Sequence, residues 1–219
     1  MSQLAMPMPE TVQSVVKCVT NGPLIAAAAQ LWIKDTDLVV DMTYGRGKFW
    51  TCYCPARLVG HDLITDGVDF RHLPEADGTV DVAVFDPPYV SMGGRETSTK
   101  PDFTDRYGLI EAPSSPAELA KLIAQGIREG NRILRPKGRL MVKCMDYVSS
   151  GGLFLGRHHV VTTALGLGMR QVDEFVHHSG VGPQPTEHLD GTPRKQYHAR
   201  RAHSFLCVFQ APPAKRKAS

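Results

Sequence analysis

Short apolar runs recur along the chain, and three of them run into an acid. Leu38-Val39-Val40 meets Asp41, Arg57-Leu58-Val59-Gly60-His61 meets Asp62, and Val80-Asp81-Val82-Ala83-Val84-Phe85 meets Asp86. Such β-branched, near-continuous runs predict parallel strands buried on both faces. Arg139 to Cys144, Arg170 to His177 and Phe205 to Phe209 predict three more strands. Helical patterning lies between them. Leu24 to Ile33 is alanine-rich, with Asn21 as its expected cap and Pro23 in its first turn. Ser115-Pro116-Ala117-Glu118 is a capping box, and Leu119, Leu122, Ile123, Ile127 and Ile133 give the helix that follows, to about Leu134, one apolar face. A turn is expected at Arg135-Pro136-Lys137-Gly138, and a further helix over Val160 to Met169. Strands alternating with helices predict an α/β fold. In a parallel sheet the strand carboxyl ends share one edge, so Asp41, Asp62 and Asp86 are gathered into one site.

At 219 residues the expected organisation is one domain, residues 1–211, followed by a basic tail, 212–219, that carries Lys215-Arg216-Lys217. The net charge of +3 selects no partner. Five cysteines at irregular spacing predict free thiols and a cytoplasmic location rather than a disulfide framework, and Cys52-Tyr53-Cys54 has no second pair at zinc spacing. No metal site, membrane span or signal peptide is expected.

The densest chemistry is at Asp86-Pro87-Pro88-Tyr89. Two prolines stop the preceding strand, remove two N–H donors and fix two φ angles. An acid and an aromatic flank this rigid turn. A nucleobase amino group is flat, with its lone pair delocalised into the ring. The Asp86 carboxylate and the Pro87 carbonyl could accept its two N–H groups and turn that lone pair toward an electrophile, while Tyr89 stacked on the base. A strand-ending turn is the plain alternative for the same four residues.

The tetrapeptide resembles the catalytic motif of the amino-methyltransferases, which methylate adenine N6 or cytosine N4 with S-adenosylmethionine (SAM). The segment Asp41-Met42-Thr43-Tyr44-Gly45-Arg46-Gly47 follows a strand and resembles the first SAM-binding motif of that family. Its glycines allow a tight turn and a close backbone approach to a ligand, and the third glycine of a dinucleotide fingerprint is missing, which argues against NAD. The resemblance implies that Asp41, Thr43, Gly45 and Gly47 hold the methionine portion of the cofactor. It assigns the ribose hydroxyls to Asp62, about 20 residues past Asp41, a spacing that also suits that role. It assigns the adenine to Asp69 and Phe70, with Asp66 as a competing acid. Arg46 and Lys48 depart from the commonest family form, and Thr43 and Tyr44 stand where Pro and Phe are frequent.

The likeness extends over nearly the whole chain. It implies a single Rossmann-like SAM-methyltransferase domain, with a mostly parallel seven-stranded sheet and a closing antiparallel hairpin made by the last two strands. Two segments suit nucleic acid. The insert Ser91 to Pro116 carries Arg95, Lys100 and Arg106 with two aromatics, and the stretch Gly180 to Ser204 carries Arg194, Lys195, Arg200 and Arg201 around Tyr197. Solvated loops would have the same composition. The expected activity is methylation of a nucleobase amino group, adenine N6 in DNA first, since Asp rather than Ser at position 86 favours adenine in this family. RNA adenine and DNA cytosine N4 are the alternatives. Protein-glutamine methylation is a rival whose family carries Asn at this position. A nucleic-acid-binding protein with a decayed site is the reading outside the enzymes.

Overall fold

The computed structural model describes residues 11–88, 113–149, 151–180, 192, 195, 197–199 and 201–214. Nine strands are seen among them: β1 Val15–Lys17, β2 Val39–Asp41, β3 Leu58–Gly60, β4 Val80–Phe85, β5 Leu134–Cys144, β6 Tyr147–Ser149, β7 Gly152–Phe154, β8 Arg170–His178 and β9 His203–Gln210. Seven form one sheet in the order β1-β8-β9-β5-β4-β2-β3, and β6 and β7 form a separate antiparallel pair. Only β9 is reversed in the large sheet, antiparallel to both β5 and β8. The other six strands point one way, so their carboxyl ends lie on one edge.

Among the described residues three helices cover the sheet: α1 Gly22–Trp32, α2 Pro116–Ile133 and α3 Gly156–Gly166. Alternation along the strands sorts the core into two layers. Val82, Val84, Met141, Leu206, Val208 and Phe175 face α1 through Leu24, Ile25, Ala28 and Ala29. Ala83, Phe85, Leu140, Val142, Cys207 and Phe209 face α2 and α3. The approach of α2 is close because Gly126 has no side chain: a Cβ there would stand 2.3 Å from Phe85 Cζ.

The mostly parallel sheet and the antiparallel β8–β9 pair agree with the sequence reading, and several local features differ from it. β1, the first of two short elements that Asn21-Gly22-Pro23 separates between Thr11 and Ile33, is a strand that pairs in parallel with β8, a pairing the sequence does not disclose, and it places β8 inside the sheet rather than at its edge. The β6–β7 hairpin was not foreseen either. The expected turn at 135–138 is instead part of β5: Leu134 pairs with Val80, and a register shift before Val82 accommodates Pro136 and Lys137, the latter at φ +65°. The last α/β crossover helix begins at Gly156, four residues early, and ends at Gly166 before Gly168 turns at φ +79°. The capping box of α2 forms as read, with Glu118 N–H donating to Ser115 Oγ at 3.2 Å. Asn21 makes no side-chain cap on α1. It stands instead on the wall of the cavity described next.

Candidate active site

A cavity of about 580 Å³ opens at the carboxyl edge of β2, β3 and β4. Its wall includes Asn21, Thr43, Tyr44, Gly45, Asp62 and Asp86. That volume suits a small-molecule ligand, for which sites run from about 300 to 1,000 Å³.

The loop after β2 is built around Asp41. This carboxylate is 1% exposed, and both of its oxygens accept hydrogen bonds: Oδ1 from Thr43 N–H at 3.0 Å, Oδ2 from Trp50 Nε1 at 2.7 Å. Trp50 lies on a 3-10 turn, Lys48–Thr51. Burial pushes the Asp41 carboxyl up to about 7 against the pull of those two donors, and the nearby Asp86 and Asp62 carboxylates add to the rise. Asp41 is thus the internal anchor of the loop and does not itself line the cavity.

Two glycines shape the loop in different ways. Gly45, at φ +52°, is on the cavity wall, and a Cβ on it would come 3.8 Å from Asp62 Oδ2, in the gap between the loop and the acid. Gly47, at φ +65°, is not on that wall and makes room for Tyr44: its Cβ would stand 2.6 Å from the phenol oxygen. Gly60 yields to the same ring, since a Cβ there would fall 2.4 Å from Tyr44 Cγ. Tyr44 therefore packs across the ends of β2 and β3.

Asp62 is held by its own turn. Oδ1 accepts from Ile64 N–H and Thr65 N–H, and the Asp62 N–H donates to Asp66 Oδ1 at 2.9 Å. Asp66 is committed to this turn and to His61 Nδ1 at 3.1 Å. His61 Nε2 meets Glu75 at 2.8 Å. Burial disfavours the imidazolium, but the two carboxylates outweigh it and raise its pKa.

Asp86 follows β4 directly. Its backbone N–H donates to Thr43 Oγ1 at 2.9 Å, which ties the catalytic candidate to the glycine loop. Pro87 and Pro88 are buried behind it. Asp86 Oδ1 is buried with no hydrogen-bond partner among the described residues.

The sequence brought Thr43, Gly45, Asp62 and Asp86 to one wall, and the structure places them there. It does not bring Asp69 and Phe70 to that wall. Asp69 pairs with Arg71, which accounts for its lowered pKa against the opposing effect of burial. Phe70 is 7% exposed and packs on Phe85 with ring centroids 5.0 Å apart, because its strand-end neighbourhood is roofed by α2. The cavity wall instead carries Asn21, Phe49, Ile64 and Thr65, for which the sequence suggests no site role, and the departures Tyr44, Arg46 and Lys48. Tyr44 was the most legible of these, being next to the glycines it requires. Tyr89, Arg95, Lys100, Arg106, Arg194 and Arg200 lie outside the described residues. Of the second basic segment, Lys195 sits over the Tyr197 ring at 5.2 Å, Tyr197 is 78% exposed, and His198 reaches Gly151 O of the β6–β7 hairpin at 3.0 Å. Arg201 is half-buried. Neither Lys195 nor Arg201 lines the cavity.

No family model and no curated protein matches the chain. Solved structures do. A protein of Bacillus halodurans described as a methyltransferase is 12% identical with a TM-score of 0.54, covering 87% of this chain and 100% of its own. The (4+2)-cyclase SpnF is also 12% identical, with a TM-score of 0.51 over 88% of this chain and 81% of its own. The chain has a methyltransferase fold. A Thermus thermophilus protein described as a DNA modification methylase, complexed with S-adenosyl-L-methionine, is 17% identical at a TM-score of 0.42; the match covers 69% of this chain but about half, 54%, of that one. A methyltransferase and a cyclase sharing one architecture leave the reaction to be argued from the site.

Proposed function

We propose that this chain is a SAM-dependent methyltransferase acting on the exocyclic amino group of a nucleobase, adenine N6 in DNA. The observation that carries the reading is the setting of Asp86. Its backbone is tied to the glycine loop through Thr43, the residue is on the cavity wall, and one buried carboxylate oxygen has no partner among the described residues. The turn that follows, Pro87-Pro88, cannot rearrange freely.

The cavity suits SAM on two counts. The space beside Gly45 is one that any side chain would fill, and Asp62 faces it as an acceptor for vicinal hydroxyls. Bound there, SAM supplies an electrophilic methyl group. The chain's own work is to hold and orient the acceptor. Asp86 and the Pro87 carbonyl take the two amino N–H groups, which directs the nitrogen lone pair toward the cofactor side. Tyr89 stacks on the base, and the carboxylate then receives the proton that the methylated amine gives up. Lys195, Arg201, Arg194 and Arg200, with Arg95, Lys100 and Arg106, supply phosphate contacts.

The test is a titration of SAM by calorimetry, followed by transfer of a tritiated methyl group to DNA and to RNA. Wild type is expected to label DNA at adenine. Asp86→Ala is expected to bind SAM with near wild-type affinity and to label nothing. Labelling of unmodified DNA by Asp86→Ala at the wild-type rate would end the reading, and labelling of RNA alone would move the substrate.

A further inference from the structure

Asp86 has a buried lysine level with it across the sheet. Phe85 pairs with Val142 at the end of the β4–β5 register, and the next residues are Asp86, just past β4, and Lys143 on β5. Val84 and Met141, two residues back, both face the α1 layer, and alternation puts Asp86 and Lys143 on that same face. Lys143 is 3% exposed. Continuing across the sheet, Lys143 pairs with Leu206, and two residues nearer the edge Ser204 pairs with His177, Oγ lying 3.3 Å from Nδ1. Polar side chains thus lie beneath the carboxyl edge on the α1 side, Asp86 and Lys143 on one side of Leu206 and Ser204 and His177 on the other.

A buried carboxylate is costly to ionise unless a counter-charge lies close. The chemistry proposed for Asp86 depends on its charge state. An ionised carboxylate only accepts hydrogen bonds, whereas a protonated one directs an O–H at an amino group that must itself donate. We infer that Lys143 is the residue whose charge keeps Asp86 ionised, and so an acceptor for the target's amino protons. This rests on the functional reading given above for Asp86.

The charges around Asp86 agree with it. Burial pushes the Asp86 carboxyl up, and Lys143 pulls it back down. Asp41 from β2 and Asp62 beyond β3 are carboxylates of the same neighbourhood, and they offer Asp86 no compensation. Arg46 and Lys48 stand on the cavity wall, in the glycine loop. On the far side of Lys143 are His177 of β8 and Cys18 beyond β1; burial lowers the His177 pKa and the Lys143 charge lowers it further.

The experiment reads Asp86 directly. Carboxyl-carbon NMR of protein labelled at aspartate follows its titration, with Asp86→Asn identifying the resonance. Lys143→Met keeps the aliphatic stem and removes the charge; Lys143→Arg keeps the charge. The Asp86 midpoint is expected to rise by about one pH unit or more in Lys143→Met and to stay near wild type in Lys143→Arg, with the acid limb of the methyl-transfer profile moving in step. If Lys143→Met does not fold, Lys143→Gln carries the same expectation. An unchanged Asp86 midpoint in the uncharged variant overturns the inference even if the enzyme methylates DNA. A raised midpoint in a protein that transfers no methyl group upholds the pair and instead refutes the functional reading.

Discussion

Replacing Asp41 by Asn should make the protein less stable in acid and more stable in base, and the structure sets both magnitudes. The wild-type carboxyl titrates at about 7 when folded, against about 4 for an unfolded aspartate. Between those values the folded state holds a proton that the unfolded state has released. Stability therefore falls as pH rises through that window and levels off above it. About three pH units correspond to a loss of about 4 kcal/mol, with each unit worth about 1.4 kcal/mol. Asn does not titrate, so the variant lacks this decline. It carries a different cost at every pH. Thr43 N–H and Trp50 Nε1 both donate to Asp41. An amide offers one oxygen and one NH2, so one of these buried donors is left facing another donor, at about 1–3 kcal/mol. The variant should then be about 1–3 kcal/mol less stable than wild type near pH 4 and more stable by a similar amount at pH 8.5. Urea denaturation at several pH values, with unchanged m-values, reads the difference. A difference that stays constant from acid to base would refute the reasoning, because it would mean that Asp41 does not change charge across the window.

Other outcomes can be checked separately. Gly47→Val should abolish measurable SAM binding by driving Tyr44 out of its place, and Asp62→Ala should weaken it by about 1.5–3 kcal/mol through loss of a charged acceptor; calorimetry showing unaltered affinity in both would remove the cofactor from this cavity. The His61 imidazolium can donate to Asp66 and Glu75 together, whereas a neutral ring has a single donor. Its folded pKa is raised, so its stabilisation is complete below about 6.5 and is lost as pH rises through the folded value. His61→Gln should therefore cost more at pH 5.5 than at pH 9 in thermal unfolding, and an equal cost at both would count against the ion-paired form. On DNA, replacing Arg200 and Arg201 together by Ala should flatten the salt dependence of binding by about two or less, and an unchanged slope would route the DNA elsewhere.

The elements that sequence disclosed were those whose local chemistry and tertiary role agree. β4 is apolar almost throughout and is stopped by two prolines, and α2 begins with a complete capping box; both form as read. The wall residues Thr43, Gly45, Asp62 and Asp86 were legible because a parallel sheet delivers strand ends to one edge. β1 was hidden because three residues of exposed or half-exposed character acquire a strand only by pairing with β8, far along the chain. Phe70 misled for the converse reason. An aromatic beside a strand end suits an adenine ring and a hydrophobic core equally well, and the choice was made by Gly126 of α2, which admits Phe85 and Phe70 close against the helix. Asn21 read as a cap from its place before a proline, but the helix begins without its side chain.

The edge strand β1 has a consequence for how the chain is made. Its partner on β8 leaves the ribosome last among the parallel strands. Cys18 O and His177 Nε2, which meet at 2.9 Å just past the paired residues, are separated by 159 residues, and Trp32 on α1 reaches Asp173 across 141. At a synthesis rate of about 5–20 residues per second, β1 waits roughly 8–30 s for β8 to be made, and longer for β9, which holds β8 to the sheet. Throughout that interval α1 can rest on β2 and β4, but β1 has no edge to add to. Contacts of such separation are slow to close, so the segment before α1 should be the last part of the sheet to gain protection from proteases during translation.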